Sequence, residues 1–490
     1  MRGSTYLLSC ALIAALGGLL FGFDTAVISG TTDALKQVYD LSSFGVGFTV
    51  ASALIGTILG SILVGPPADW IGRRRVLVVI GVFYFISAVG TALAWDWYSF
   101  LFFRFLGGLG VGGASVVSPM YIAEISPAAS RGRLVAITQF NIVLGILLAF
   151  ASNYLVAKLD LGATEWRWMF GVEAFPAAAF TVLLYWTPFS PRWLASKGRV
   201  DEARDVLRRL GNNEATVETE LKSILKSLDL VHHTMREPLF SAAYRKPVLL
   251  AVAIAAFNQL SGINALMYYA PHIFGMAGAD KNSALLQSVL VGGTNLVFTM
   301  AALLIIDHFG RRRLMLVGSL GYILSLGAAA CAFYSYGDRF QAAIDATEAV
   351  ATLQDPSSLT VPTKDELARA QRAVIEANAA ASQGGKIVLV SLLVFIASHA
   401  FGQGAVIWVF ISEIFPNRVR ARGQALGSFV HWVMAAGISW TFPMFAEVSG
   451  GHTFAFYAVM MVLQLLWVLF VMPETKGIPL EDIQKELGIE

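Results

Sequence analysis

Residues 69–75 read Asp-Trp-Ile-Gly-Arg-Arg-Arg, and residues 307–313, 238 positions further on, read Asp-His-Phe-Gly-Arg-Arg-Arg. A second motif, Glu-Ile-Ser-Pro at 124–127, returns 289 positions later as Glu-Ile-Phe-Pro at 413–416. In each copy the first motif follows the second of six apolar runs and the other motif follows the fourth. The chain therefore consists of two homologous halves in the same orientation.

The apolar runs around these motifs are long enough to cross a membrane. Hydrophobic residues make up 56% of the 490 residues and charged residues only 14%, whereas an average soluble protein has about 25% charged residues. A transmembrane helix needs about 20 apolar residues, and the runs lack the alternation typical of barrel strands. We therefore predict an all-α membrane protein with twelve spans, at residues 6–28, 46–66, 76–95, 99–121, 134–156, 168–187, 247–274, 285–305, 314–335, 386–411, 422–446 and 452–472.

Basic residues predict the orientation of the spans. Arginine and lysine cluster in alternate loops, for example at 73–75, 311–313 and 418–422. The positive-inside rule places these loops in the cytoplasm, and an even number of spans places both termini there as well. We expect a multi-pass protein of the cell (plasma or inner) membrane. Cys10 and Cys331 lie in apolar runs, which favours buried thiols over a disulfide or a metal site.

The repeat also predicts the domain organisation. We expect an N-terminal six-helix bundle, a cytoplasmic linker with short helices at 201–210 and 214–230, a C-terminal six-helix bundle and a cytoplasmic tail, at 1–187, 188–246, 247–472 and 473–490. The offset between the repeated motifs grows by 51 residues, which indicates an insertion in the second half. We place this insertion at 336–385 on the external face, with a helical stretch at 364–381 and no assigned role.

Seven motifs resemble those of the sugar porter family of the major facilitator superfamily, which includes bacterial sugar–proton symporters and the facilitative glucose transporters of animals. The resemblance covers nearly the whole chain except 336–385. It implies the major facilitator fold, with two six-helix halves, and transport of a monosaccharide (a hexose or a pentose) by alternating access. The motifs lie at residues 17–24, 69–75, 119–124, 190–194, 259–264, 307–313 and 473–477.

Three charges within the predicted spans suggest a proton site. Asp24, Arg104 and Glu173 lie at similar depth near the external ends of spans one, four and six. A lone charge there costs at least about 2.5–3.5 kcal/mol, so these residues must pair or face water. We expect Asp24 to carry the proton and to exchange it for its partner Arg104 as the helices move. The resemblance implies coupling roles for Asp24 and Glu173. The alternative is a static salt bridge that only stabilises packing.

Amides and tryptophans in the middle of the spans suggest a sugar site, because amides both donate and accept hydrogen bonds and aromatic rings pack against a sugar ring. The alternative for any single amide is a hydrogen bond between helices. The resemblance implies that most of these residues contact sugar, whereas His431 stands where the family has an amide. We read it as a neutral hydrogen-bonding group. The candidate residues are Gln139, Asn258, Gln259, Asn264, Asn295, Trp408, His431 and Trp432.

Charged residues in the repeated loops suggest a cytoplasmic gate. We expect ion pairs between the two halves, and the resemblance implies that such pairs close the inner side in the outward-facing state and break when it opens. The residues are Glu124, Glu413, Arg73, Arg74, Arg133, Arg311, Arg312 and Arg422.

Other functions remain as alternatives at this point. A facilitative uniporter or exchanger would share the fold, although Asp24 argues against it. A membrane sugar sensor would be expected to carry a long cytoplasmic tail. An enzyme is not indicated, because the sequence shows no nucleophile–base pair, metal cluster or phosphate loop. We expect no cofactor apart from protons as the coupling ion, a sugar and the lipid bilayer as partners, no nucleic acid, and a monomer.

Overall fold

The computed structural model describes residues 2–127, 130–211, 214–233, 238–353, 363–416 and 419–476, and positions 483, 487 and 489. Their secondary structure is helical, and no strand occurs among them. Twelve helical segments are long and apolar enough to cross a membrane, and each overlaps one of the twelve predicted spans. The predicted fold class is therefore confirmed.

The helices follow one another with short connections. The first half comprises α1 (Arg2–Val27), α2 (Thr32–Val38), α3 (Ser43–Leu63), α4 (Gly65–Ile71), α5 (Arg73–Ala92), α6 (Trp97–Ile125), α7 (Arg131–Ala157), α8 (Glu165–Gly171) and α9 (Ala174–Leu183). The linker forms α10 (Pro191–Ser196), α11 (Val200–Arg209) and α12 (Glu214–His233). The second half comprises α13 (Arg245–Leu260), α14 (Ile263–Met276), α15 (Lys281–Phe309), α16 (Arg311–Leu353), α17 (Lys364–Phe401), α18 (Gln403–Ile414), α19 (Arg420–Val448) and α20 (Gly450–Phe470). We call the end of the bundle with α4 and α10–α12 the inner face, and the opposite end, with α2, the outer face.

Glycines let helices within the first half pack closely. A Cβ atom at Gly108 of α6 would lie 1.9 Å from the carbonyl oxygen of Ala53 on α3. A Cβ at Gly22 of α1 would lie equally close to the carbonyl oxygen of Ile142 on α7. Apolar burial does not drive helix association in lipid, so close backbone approach and van der Waals contact take its place.

Three spans are interrupted near the candidate functional residues. Span six is divided between α8 and α9, with Glu173 at the junction. Span seven is divided between α13 and α14 at Gly262, whose φ of +84° lies in the left-handed region. Span ten is divided between α17 and α18 at Gly402. Polar groups at such interruptions are available for contacts outside the regular helix.

The two halves contact each other along α3 with α19 and along α7 with α15. A Cβ at Gly47 of α3 would lie 1.9 Å from the carbonyl oxygen of Trp440 on α19. At the outer ends, Lys281 Nζ lies 2.7 Å from a carboxylate oxygen of Glu165. The outer face is therefore closed between the halves.

The insertion extends two spans beyond the bilayer. Helices α16 and α17 are 43 and 38 residues long, and 20 residues suffice to cross a membrane. The predicted helical stretch 364–381 is part of α17, whereas 354–362 lie outside the described residues. The base of this helix pair packs on the outer end of span seven, where a Cβ at Gly278 would contact Ala381, Ala343 and Phe340.

Candidate functional site

A buried ion pair joins α1 and α6. Arg104 Nη1 lies 2.5 Å from Asp24 Oδ1, and Arg104 Nη2 donates a hydrogen bond to the backbone carbonyl of Asp24 at 3.3 Å. The two side chains are 1% and 3% exposed. The guanidinium also lies over the Phe170 ring, 5.4 Å from its centroid. The two charges expected to pair are therefore in direct contact and shielded from water.

Glu173 completes the group of charges without joining the ion pair. It lies at the junction of α8 and α9, is 2% exposed, and interacts electrostatically with Asp24 and Arg104. Its Oε1 has no hydrogen-bond partner in the described part of the chain, and the same holds for the buried hydroxyl of Tyr84 nearby. A buried carboxyl oxygen without a hydrogen-bond partner is costly, so Glu173 is a strained member of this group of charges.

Polar side chains cluster at the end of α13. Gln259 Nε2 donates to Asn258 Oδ1 at 2.9 Å and lies 3.2 Å and 3.3 Å from the two ring nitrogens of His431 on α19. Asn258 and Gln259 are 2% and 0% exposed. Oε1 of Gln259 has no partner among the described residues. The cluster thus retains a free acceptor in a dry environment.

Aromatic rings surround this cluster. The Trp408 and Trp432 rings lie 5.2 Å and 5.0 Å from the His431 ring, measured between centroids. Phe21 of the first half lies 5.7 Å from Trp432. Trp408 is 40% exposed and Trp432 7%. The rings give the amide cluster an apolar border to which both halves contribute.

The remaining candidate residues lie on other helices. Asn264 follows the Gly262 interruption, and its Nδ2 is buried without a hydrogen-bond partner in the described residues. Asn295 of α15 accepts a hydrogen bond from Thr299 at 3.3 Å. Gln139 of α7 is half-buried. Among the candidate sugar residues, the hydrogen bonds and ring contacts of the described structure join Asn258, Gln259, His431 and the two tryptophans.

Three further buried residues, which are not among those expected from the sequence, are bonded to this cluster. Asn258 Nδ2 donates to Gln403 Oε1 at 3.3 Å, Gln403 Nε2 donates to Gln464 Oε1 at 2.5 Å, and Gln464 Nε2 donates to Ser319 Oγ at 2.8 Å. Gln403, Gln464 and Ser319 are all 0% exposed. Two glutamines within apolar spans were the available signal, because polar groups at membrane depth are costly.

The arginine motifs at the inner face form ion pairs within each half in this structure. Arg73 Nε lies 3.0 Å from Glu124 Oε1 in the first half. Arg311 Nη2 lies 2.8 Å from Glu413 Oε1 in the second half. These pairs link neighbouring helices of one bundle, so they do not themselves fasten the two bundles together in this structure.

Two further arginines of these motifs bind backbone carbonyls at helix ends. Arg74 donates to the backbone carbonyls of Leu184 and Tyr185, and Arg312 donates to those of Val468 and Leu469. The side chains of Arg133 and Arg422 are exposed. Carbonyl oxygens at helix ends lack intrahelical donors, which explains why arginines bind there and not only to carboxylates.

A cavity of about 380 Å³ opens at the outer face, away from the amide cluster. Asp33, Lys36 and His272 are among its lining residues. Asp33 Oδ1 lies 3.0 Å from His272 Nδ1, so a polar contact joins the halves among its lining residues. This cavity lies on the outer side of the closed interface and contains none of the candidate sugar residues.

Comparison with known proteins identifies the family. The family model described as "Sugar (and other) transporter" matches residues 10–351 and 369–487. This chain belongs to the sugar transporter family. It is a membrane transport protein and not an enzyme.

Relatives resemble this transporter over nearly its full length. The D-xylose-proton symporter of Escherichia coli is 37% identical, with 98% of this chain and 96% of the relative covered. The arabinose-proton symporter of Bacillus subtilis is 34% identical, with 99% and 95% covered. The inward-open structure of the xylose transporter XylE from Escherichia coli matches with a TM-score of 0.79 and 35% identity, covering 98% of this chain and 99% of that one.

Proposed function

We propose that this transporter carries a monosaccharide, a pentose or a hexose, together with a proton. Alternating access is the proposed mechanism. Its fold and family support the transport class, and two relatives are named as proton symporters of xylose and of arabinose. The Asp24–Arg104 pair is the observation that carries the proton part of the proposal.

The buried pair provides a simple basis for proton coupling. While Arg104 contacts Asp24, the positive charge stabilises the carboxylate and competes with a proton. When the helices separate the pair, a proton neutralises the buried carboxylate in place of the guanidinium. Because α1 and α6 both belong to the first half, coupling requires movement within that half as well as between the halves. Because Glu173 interacts electrostatically with Asp24 and Arg104, separation of that pair also changes the electrostatic surroundings of Glu173.

The amide cluster provides the proposed sugar site. Gln259 Oε1 can accept a hydrogen bond from a sugar hydroxyl, and Asn264 Nδ2 can donate one. Trp408 and Trp432 supply apolar faces for the ring. Gln139 and Asn295 would approach the sugar from α7 and α15, which contact each other across the halves. A bound sugar would then contact residues of both halves.

The closed outer face corresponds to the inward-facing part of the cycle. In the outward-facing state, we propose that Glu124, Glu413 and the arginines of the repeated loops approach across the inner face and close it. The proposal further includes a monomer in a cell membrane, with the inner face and both termini in the cytoplasm, as the distribution of basic residues indicates.

Proteoliposomes test the proton part of the proposal. An inward proton gradient should drive accumulation of labelled xylose, arabinose or glucose by the unmodified protein. Asp24→Asn should abolish accumulation and retain counterflow exchange, because the amide keeps the shape but cannot carry the proton. Asp160→Asn provides a matched control, since Asp160 lies in an exposed turn between α7 and α8.

The outcomes separate symport from facilitated transport. Accumulation that persists in Asp24→Asn would overturn the assignment of the proton to Asp24. Exchange without accumulation in the unmodified protein would establish a uniporter or exchanger. If none of the three sugars moves at all, the substrate class is wrong.

A further inference from the structure

A continuous chain of buried side chains leads from the sugar site to the interior of the second half. It runs from Gln259 through Asn258, Gln403 and Gln464 to Ser319, with separations of 2.9, 3.3, 2.5 and 2.8 Å. Each member is at most 2% exposed. The chain connects α13, α18, α20 and α16 and is separate from the Asp24 site.

The Ser319 end of this hydrogen-bonded series determines which group donates at every step. Ser319 Oγ lies 2.7 Å from the backbone carbonyl oxygen of Met315. A carbonyl oxygen can only accept, so the Ser319 hydroxyl must donate its single proton there. Its oxygen is then left to accept a hydrogen bond from Gln464, which must present its NH₂ group to Ser319.

The donor and acceptor assignment at Ser319 fixes the assignment at each further hydrogen bond up to the sugar site. Since Gln464 presents its NH₂ group to Ser319, its carbonyl oxygen faces Gln403, which must donate to it. Gln403 in turn accepts from Asn258, and Asn258 accepts from Gln259. Reversing one amide would place two donors or two acceptors against each other in a dry environment, and each unmade buried bond is costly.

Gln259 is therefore left in one orientation. One N–H of its amide is used by Asn258, and the other faces the His431 ring. Its Oε1 alone remains without a partner in the described residues. The sugar site thus presents an acceptor at this point and requires a donor, namely a hydroxyl group, from the ligand.

We propose that Ser319, Gln464 and Gln403 are positioning residues that determine sugar specificity by setting the amide orientation of Gln259. This inference rests on the proposed sugar site. The recognised chemical group is a hydroxyl that donates to Gln259 Oε1. A fluorine at the same sugar carbon can accept but cannot donate, so it is discriminated against.

Binding of monofluorinated sugars tests this orientation. The bound sugar is compared with its deoxyfluoro analogues, one position at a time, by equilibrium binding to purified protein. In the unmodified protein, fluorine at one position should weaken binding about tenfold, the equivalent of one lost hydrogen bond. We call the dissociation constant of the analogue divided by that of the parent sugar the fluorine ratio. Ser319→Ala removes the hydroxyl that sets the direction of the hydrogen bonds, so the Gln259 amide can rotate and the fluorine ratio should fall below about threefold.

Matched variants separate orientation from general damage. Ser325→Ala removes another buried hydroxyl of α16 that lies outside the chain, and it should keep the ratio of the unmodified protein. Ser319→Thr retains the hydroxyl and should also keep the ratio. Gln464→Met breaks the series of hydrogen-bonded side chains at a second point and should reduce the fluorine ratio as Ser319→Ala does. Either variant therefore suffices if the other fails to fold.

Three results would overturn the inference. The first is an unchanged fluorine ratio in Ser319→Ala and Gln464→Met. The second is an equal loss of ratio in Ser325→Ala. The third is that every fluorinated analogue binds the unmodified protein as tightly as the parent sugar does. Failure of the unmodified protein to bind any sugar would instead refute the proposed function, and the orientation proposal with it.

Discussion

At the scale of single residues, Asp24 and Arg104 show why a charge within the membrane is informative. Their charged atoms are 2.5 Å apart and almost fully shielded. Attraction between them offsets desolvation only while both are present, and removing one member of a buried pair leaves an uncompensated charge. In the proposed mechanism, this energetic penalty for separating the pair is what favours a proton on Asp24 once Arg104 has moved away.

A double-mutant cycle should reveal this dependence. Arg104→Met should lower the free energy of unfolding by about 3 kcal/mol, because Asp24 is left buried without its partner. The double variant Asp24→Asn with Arg104→Met should be more stable than Arg104→Met alone, since the unpaired charge is gone. The stabilities are measured by reversible unfolding in mixed detergent micelles.

The control for this cycle is an exposed ion pair of the linker. Arg199 and Glu202 lie 2.5 Å apart on the surface, and exposed pairs contribute only about 0–1 kcal/mol. Replacing Arg199 with methionine should therefore have a small effect. Equal losses at Arg104 and Arg199 would contradict the account of the buried pair.

At the scale of helices, the interruption of span seven positions residues of the proposed sugar site. Gly262 adopts φ +84° between α13 and α14, so the chain changes direction between Gln259 and Asn264. A Cβ at Gly262 would lie 2.8 Å from the Tyr457 ring. Both the conformation and the space therefore require glycine.

Gly262→Ala should destabilise the protein and weaken sugar binding. The left-handed conformation alone costs a residue with a side chain about 1–2 kcal/mol, and the contact with Tyr457 adds to this. Gly275→Ala on α14 is the control, because no atom lies within 4 Å of a Cβ there. That control should be neutral or stabilising by up to about 1 kcal/mol. Melting temperature and equilibrium sugar binding provide the two measurements, and equal effects at the two glycines would exclude the interpretation.

At the scale of the whole molecule, the outer face is closed by direct backbone approach of the halves. Gly47 of α3 meets the Trp440 carbonyl of α19, and the rings of Phe44 and Phe48 lie 5.2 Å and 5.1 Å from the Trp440 ring. The inner-face ion pairs contribute to each half separately. The closed outer face is therefore held together by contacts on that side and not by the inner-face ion pairs.

Gly47→Ala should shift the transporter towards an outward-open arrangement. A methyl group at this position would lie 1.9 Å from the Trp440 carbonyl oxygen, which the closed interface cannot accommodate. Spin labels at the exposed positions Asp40 and His452, in a variant without the native cysteines, report the distance between the halves by pulsed electron resonance. We expect a longer mean distance than in the protein with Gly47.

The matched control for the outer face is Gly293→Ala on α15, where a Cβ would meet no atom within 4 Å. It should leave the label distance unchanged. A distance distribution that is the same for Gly47→Ala and for the unmodified protein would show that this contact does not hold the outer face closed.

The sequence by itself determined the twelve spans, the two-fold repeat and the identity of Asp24 and Arg104 as unusual charges, because apolar length and membrane-buried charge are local and energetically costly properties. It could not determine partners, since bonded residues such as Asn258 and Gln403 lie 145 positions apart in the chain. Only the tertiary structure decided that the inner-face arginines pair within their own half. It also decided that the amides of Gln403 and Gln464 are bonded to the cluster of Asn258 and Gln259, because the direction of a hydrogen bond depends on which groups the packed helices bring face to face.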